Sequence, residues 1–378
     1  MRIAHILPAL TKGGAERVAV ELANHFAEGG DSVTILAGWP ADRVLLTDRI
    51  SPNVSLRYIA KAKRFRSAHY LAALRWVDRE WEWLRQQDVI HCHLTFGAVV
   101  GTIIREKRLR AKEVRPAVVE TYHGVGMAVP RASRWLAARL ASRRDGLAVM
   151  AVDDFWGRFL ASHRSNARLI LNGVSFPRPV TTAESMRFRR DIGLPAHAPV
   201  VGTIGVLRAD RRMDRYIPAF AEIARRTGPE THFFIGGDGP EMPRIRRAAA
   251  AAGIADRLHL PGVVHDPALA LSAITLYLTT NVGAVTGIAA LEAVATGLPV
   301  IALQFRPNYE VRDQDWIWST LSPVSLGREA AALLSDPEAR QQLAIRQMQY
   351  LREHHSVEDM SNAYRHFYQA AIAVTAGG

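Results

Sequence analysis

Short apolar runs alternate along this chain with longer stretches whose apolar residues recur every three to four positions. The first pattern predicts strands and the second predicts amphipathic helices. On that basis Arg2–Leu7 is a strand, and Gly13–Glu28 a helix with Val18, Leu22 and Phe26 on one face. Strands Ser32–Ala37 and Val54–Ile59 come next, then helix Tyr70–Gln86, strand Val89–His93, helix Gly97–Lys107 and strand Ala117–Tyr122. Helix Arg134–Leu140, strand Leu147–Val152, helix Asp154–Ser162 and strand Ala167–Leu171 complete this half. Asn172-Gly173-Val174, followed by Pro177 and Pro179, reads as a turn and linker. A second succession opens at strand Val200–Ile204 and continues with helix Arg215–Arg226, strand Thr231–Ile235 and helix Glu241–Ala251. Strand Arg257–Leu260, a helix near Pro267–Ala273, strand Ile274–Leu278, a helix from about Gly287 and strand Val300–Ala302 follow. Ser325–Leu334 and Glu338–His354 are predicted helices, and Val357–Ala373 a last one with Met360, Ala363, Tyr364, Phe367 and Tyr368 on its apolar side. Strands alternating with helices predict parallel sheets covered on both faces. The expected organisation is two doubly wound α/β domains, residues 1–176 and 177–354, with 355–378 as a helix packing back on the first. A ligand is then expected where the carboxyl ends of both sheets face each other.

Composition narrows the function classes. At 378 residues, 48% hydrophobic and 22% charged, the chain reads as globular with room for two domains. No apolar run reaches 18 residues, so no membrane-spanning helix is expected. The first residues read as strand and turn rather than as a leader. The lone Cys92 rules out an intramolecular disulfide and fits a reducing cytoplasm. His91-Cys92-His93 is the nearest approach to a metal cluster, but strand alternation sets Cys92 opposite both histidines, so no metal is expected. Charge is lopsided: residues 1–176 hold 27 basic and 16 acidic side chains, while the remainder holds 21 and 20. An anionic surface or substrate met by the first half alone is implied. No recognised nucleic-acid-binding motif is present, so nucleic acid is not the expected partner.

Several turns carry candidate chemistry. In residues 281–303 a strand runs through a polar turn into a helix start at Gly287, and Glu292 lies about one and a half turns inside. Free N–H groups of Thr286, Gly287 and Ile288 would suit a phosphate, and the Glu292 carboxylate could accept from ribose hydroxyls. Gly13-Gly14, ahead of Glu16 and Arg17, permits close backbone approach to a phosphate or sugar. His123-Gly124 follows a strand. Gly205-Val206-Leu207-Arg208 and Arg211 follow another, as do Gly236-Gly237-Asp238-Gly239-Pro240 and Pro261-Gly262-Val263-Val264.

In this order these segments resemble the retaining glycosyltransferases of family 4, which have the GT-B fold. The carrying stretches are "GGAER" at 13–17, "TYHG" at 121–124, "GVLRADR" at 205–211, "GGDGP" at 236–240 and "LEAVATGLPV" at 291–300. The resemblance covers most of the chain. It implies transfer of a sugar from a nucleoside diphosphate sugar, UDP- or GDP-linked, without a metal or other cofactor. It assigns His123 and Arg211 to the reacting centre. Donor contacts fall on Gly13, Gly14, Gly205, Arg208, Gly237, Val263, Thr286, Gly287, Ile288 and Glu292. Acceptor contacts are expected from Glu16, Arg17, Arg131 and Trp135, with a glycan or polyprenyl-linked acceptor in bacterial surface polysaccharide assembly. Residues 125–144, with Lys61–Arg66, would form a basic, partly apolar face suited to an anionic membrane. Two positions depart from the family pattern: Ala284 stands where the family has a donor-contacting Glu, and Val206 where it has Arg. The alternative they raise is a catalytically silent homologue acting as a binding or scaffold subunit.

Overall fold

The computed structural model describes every residue except 12, 41–45, 61–65, 124–143, 150–166, 212–214, 280–286, 304–317, 321 and 378. Two compact units emerge: Met1–Gly173 together with Ser356–Gly378, and Val174–His355. The first holds seven parallel strands: β1 (Arg2–Leu7), β2 (Ser32–Ala37), β3 (Val54–Tyr58), β4 (Val89–His93), β5 (Ala117–Tyr122), β6 (Gly146–Val149) and β7 (Ala167–Leu169). Their order is β3-β2-β1-β4-β5-β6-β7, so the winding reverses between β1 and β4. Helices cover both faces of this sheet, which is why β4 and β5 are buried along their whole length. Ala4, Ile6, Ile90, Cys92 and Val118 point to one face, against Ala73, Trp76 and Val77 of helix Arg66–Arg79 and Val100 and Ile104 of helix Leu94–Arg110. Alternation turns His5, His91, His93 and Thr121 to the other face. Helices Gly14–Glu28 and Val357–Ala376 pack against each other, and the second lies against β5 and β6.

The second unit holds β8 (Val200–Ile204), β9 (His232–Gly236), β10 (Leu258–Gly262), β11 (Leu276–Thr279), β12 (Val300–Leu303) and β13 (Trp318–Thr320). Their order, β10-β9-β8-β11-β12-β13, places the reversal between β8 and β11. Alternate residues feed two cores. Val201, Phe233, Ile235, Leu276, Leu278 and Ile301 meet Phe220 and Leu326 on one side, and Val200, Phe234, Tyr277 and Val300 meet Leu291 and Val294 on the other. Each such fully buried side chain contributes roughly 1.5–3 kcal/mol.

The structure corrects several sequence expectations. The segment predicted as one helix, Tyr70–Gln86, is two, Arg66–Arg79 and Trp81–Leu84. The linker after Gly173 contains an unpredicted helix, Thr182–Asp191, entered through a capping box in which Thr181 and Glu184 bond reciprocally. Strand β13 was also unpredicted. On the last helix Ala363 is exposed and Ser361 buried, the reverse of an apolar-side reading. The expected helices Arg134–Leu140 and Asp154–Ser162 lie outside the described residues. Among the described residues no helix is long and apolar enough to cross a membrane.

Candidate functional site

At the carboxyl edge of the second sheet, the loops after β8, β9 and β10 are tied together by their backbones. Gly205 N donates to Gly236 O (2.9 Å), Leu207 N to Asp238 O (3.0 Å) and Gly237 N to Gly262 O (2.7 Å). Gly237 has φ +140°, and a Cβ there would stand 1.9 Å from Gly205 O. Only glycine therefore fits at this crossing. Tyr277 closes the base: its hydroxyl donates to Ile204 O (3.1 Å) and accepts from Ile204 N (3.2 Å). On this platform Val206 and Val263 are 42% and 38% exposed, and Arg208 and Arg211 are exposed. A further element of the same edge follows β11. Gly287 is the N-cap of helix Ile288–Ala295 in extended conformation, with no side chain capping it. The first N–H groups of that helix carry the positive end of its dipole, and its N-cap residue supplies no side-chain acceptor for them. Glu292 lies in the helix, half-buried. Thr286 and Ala284 lie outside the described residues.

In the first unit, the turn after β1 carries Gly13 as N-cap of helix Gly14–Glu28. Glu16 folds back over it: Thr11 Oγ1 donates to Glu16 Oε1 (2.8 Å), and a Cβ on Gly13 would meet Glu16 Oε2 at 2.1 Å. Gly13 thus makes room for Glu16, which is 8% exposed. Arg17 is half-buried, and Gly14 is exposed. Arg131, Trp135 and the basic segments 125–143 and 61–65 lie outside the described residues.

His123 follows β5 and is half-buried. It is the end of a row the sequence reading missed. Parallel pairing sets His5 beside His91 and His93 beside Thr121. His5 Nδ1 lies 3.1 Å from His93 Nε2, and His93 Nδ1 lies 3.0 Å from His123 Nε2. A second row crosses the same face. His91 Nδ1 meets Tyr368 Oη and His91 Nε2 meets Thr121 Oγ1, while Thr121 Oγ1 meets Tyr364 Oη, each at 2.7 Å. Burial lowers the pKa of His5 to about 3 and of His123 to about 4, and holds His91 and His93 well below the ordinary value. All four rings are therefore neutral at pH 7. His5, His91 and His93 bring ligand nitrogens within 4.8 Å of one another. Both nitrogens of His91 and of His93 have hydrogen-bond partners, and the two partners of His93 are themselves imidazoles. The i, i+2 spacing of His91 and His93 was visible in the sequence, but His5 joins them only once β1 is known to lie beside β4. Directly after His93, Leu94 has φ +58°, a left-handed conformation that costs a non-glycine residue about 1–3 kcal/mol and concentrates at functional sites.

Residues 12–177 match the family model described as Glycosyltransferase Family 4, and residues 198–336 that described as Glycosyl transferases group 1. A 2-deoxystreptamine N-acetyl-D-glucosaminyltransferase of Streptomyces fradiae is 26% identical over 250 residues, 63% of this chain and 58% of that protein. An alpha-D-kanosaminyltransferase of Streptomyces kanamyceticus is 28% identical over 191 residues, 49% of each. The chain thus spans only about half the length of these relatives. A crystal structure of Anabaena HepE in complex with UDP and glucose superposes with a TM-score of 0.77 at 18% identity, over 97% of this chain and 98% of that one.

Proposed function

This chain belongs to the family 4 glycosyltransferases with the GT-B fold, and from that premise we propose that it moves a hexose-type unit from a UDP- or GDP-sugar to a glycan or polyprenyl-linked acceptor. The observation that carries this reading is the carboxyl edge of the second unit, where a glycine platform and an uncapped helix start at Gly287 occur together. In the proposed reaction the diphosphate takes hydrogen bonds from Gly287 and Ile288, and Glu292 accepts from the ribose. Arg208 and Arg211 offset the charge that grows on the leaving nucleotide. Gly205, Gly237 and Val263 border the nucleotide. His123 positions the sugar, and Gly13 and Gly14 admit it closely, while Glu16, Arg17, Arg131 and Trp135 meet the acceptor. The acceptor hydroxyl attacks the face the diphosphate leaves, so the anomeric configuration is retained, with positioning and electrostatics in place of a metal or an enzymic nucleophile. The basic N-terminal half would hold the enzyme at the inner face of a cell membrane, supplying bacterial surface polysaccharide assembly.

Thermal unfolding with UDP, GDP and a panel of their sugar conjugates tests the donor site. Ligand at about 100 times its Kd adds roughly 2.7 kcal/mol of stability and raises the midpoint by a few degrees. A shift with one nucleotide series identifies the base; no shift with any member sinks the donor-site reading. One relative carries 2-deoxystreptamine in its name, so that aminocyclitol joins glycans and lipid-linked sugars in the acceptor panel. A second reading, the silent homologue, is favoured by Val206, an exposed apolar side chain where the family pattern has a cation. It requires that no conjugate be consumed by wild type, and that Ala284→Glu restore donor hydrolysis.

A further inference from the structure

The row His5–His93–His123 has only two ways to place its protons. A neutral imidazole has one N–H to give and one lone pair to receive. Both nitrogens of His93 are engaged, and each of its two contacts needs one proton. In the first arrangement every ring is protonated at Nδ1, and the row donates from His5 through His93 to His123. In the second every ring is protonated at Nε2, and the row runs backwards. The far end of the row distinguishes them. His5 Nε2 is buried and has no hydrogen-bond partner among the described residues. The first arrangement leaves a bare lone pair there, and the second leaves an N–H with nothing to donate to. Buried orphan N–H groups are the rarer of the two, because a lost donor gives up its full hydration. His91 does not compete for these protons, since its nitrogens face the hydroxyls of Tyr368 and Thr121.

We propose that His5 and His93 are positioning residues that hold His123 as its Nδ1–H tautomer, with Nε2 accepting from His93, so that the group it offers a ligand is a donor. Sugar hydroxyls and phosphate oxygens can both accept from it, and a ligand group able only to donate is disfavoured there. For its consequence on sugar binding, this inference rests on the reading of His123 as a donor-sugar contact; the tautomer itself does not. Burial, which lowers the pKa of all three rings, keeps them in the neutral form the argument needs.

The test is long-range proton–nitrogen NMR on the full chain labelled at its histidines, at pH 7, with His123 assigned by the resonances lost in His123→Asn. The expected spectrum shows His123 protonated at Nδ1 and bare at Nε2, and His5 likewise. Protonation of His123 at Nε2, or averaging between the two forms, overturns the proposal. His5→Asn keeps an amide N–H near the place of Nδ1 and should leave the His123 pattern unchanged. His5→Leu removes the head of the row and should let His123 average between tautomers. A folded His5→Leu protein with an unchanged His123 sinks the role of His5; if that variant does not fold, the wild-type and His5→Asn spectra decide. In transfer or donor-hydrolysis assays, His5→Leu should lower kcat/KM about tenfold and His5→Asn should not. An inert protein with the Nδ1–H tautomer sinks only the transferase reading. An active one with the Nε2–H tautomer sinks only this inference.

Discussion

Arg108 and Asp145 form a buried pair whose geometry leaves little slack. Arg108 Nη1 and Nη2 donate to the two carboxylate oxygens at 2.6 and 3.0 Å, Val118 N donates to the same carboxylate at 2.7 Å, and both side chains are about 4% exposed. Arg105 Nε also donates to Asp145 Oδ1 at 3.3 Å, so Arg108→Met leaves the buried carboxylate only partly compensated and should cost about 3 kcal/mol in chemical denaturation. Gly237 is a different kind of single-residue constraint, because a Cβ would collide with Gly205 O. Gly237→Ala should abolish any stabilisation by nucleotide while leaving the first unit's unfolding transition in place, read by differential scanning calorimetry with and without ligand. That the Gly205 carbonyl crosses Gly237 follows only from the tertiary fold, but both Gly-Gly pairs were legible as tight turns after apolar strands. The acidic side chain over Gly13 was not, since nothing in "GGAER" says that Glu16 turns back onto its own helix start. The His5 row was invisible for a related reason: His5 is 88 residues from His93, and strand order alone brings it there.

At the scale of elements, β1, β2, β4, β5 and β8 fall on the bounds that their apolar runs predict, because strands covered on both faces keep apolar residues along their length between turns, even where histidines interrupt them. Helix Thr182–Asp191 was missed because its residues are mostly exposed or half-buried, and the Thr181–Glu184 box is its one clear mark. Strand β13 is three residues long, too short for any period. The helix Val357–Ala376 was legible as amphipathic, but not the work of its two tyrosines. Their hydroxyls reach Thr121 and His91 inside the sheet face, which makes the helix part of a polar row as well as a cover for apolar surface. Tyr368→Phe leaves His91 Nδ1 without a partner and should cost about 1–3 kcal/mol. Tyr364→Phe should couple with it, since the two hydroxyls share the Thr121–His91 link. A double-mutant cycle read by urea midpoints should return a coupling of about 0.5 kcal/mol or more, and strict additivity would deny the row.

For the whole molecule the buried histidines set a pH limit. His5, His91, His93 and His123 all have folded pKa values below the unfolded value near 6.5. The unfolded chain therefore takes up protons first, and the stability they contribute is complete above pH 6.5 and lost as pH falls towards the folded values. Each costs about 1.4 kcal/mol per pH unit in that window. Glu120 acts the other way: burial raises it to about 7 against the pull of Arg144, so the folded state gains stability as pH falls from 7 towards 4.5. Four groups outweigh one, and the thermal midpoint should drop steeply between pH 6.5 and 5, a fall that His5→Asn should lessen. The first unit has one more property that its chain path dictates. Its sheet is drawn from residues before 174, but Tyr364 and Tyr368 arrive only after the whole of the second unit. On the ribosome, the segment translated first is thus the later of the two to close, holding an open row of imidazoles through the synthesis of about 180 intervening residues. A released chain that ends at residue 355 should carry a finished second unit and a protease-sensitive first one, which makes translation itself a period of exposure for this sheet face.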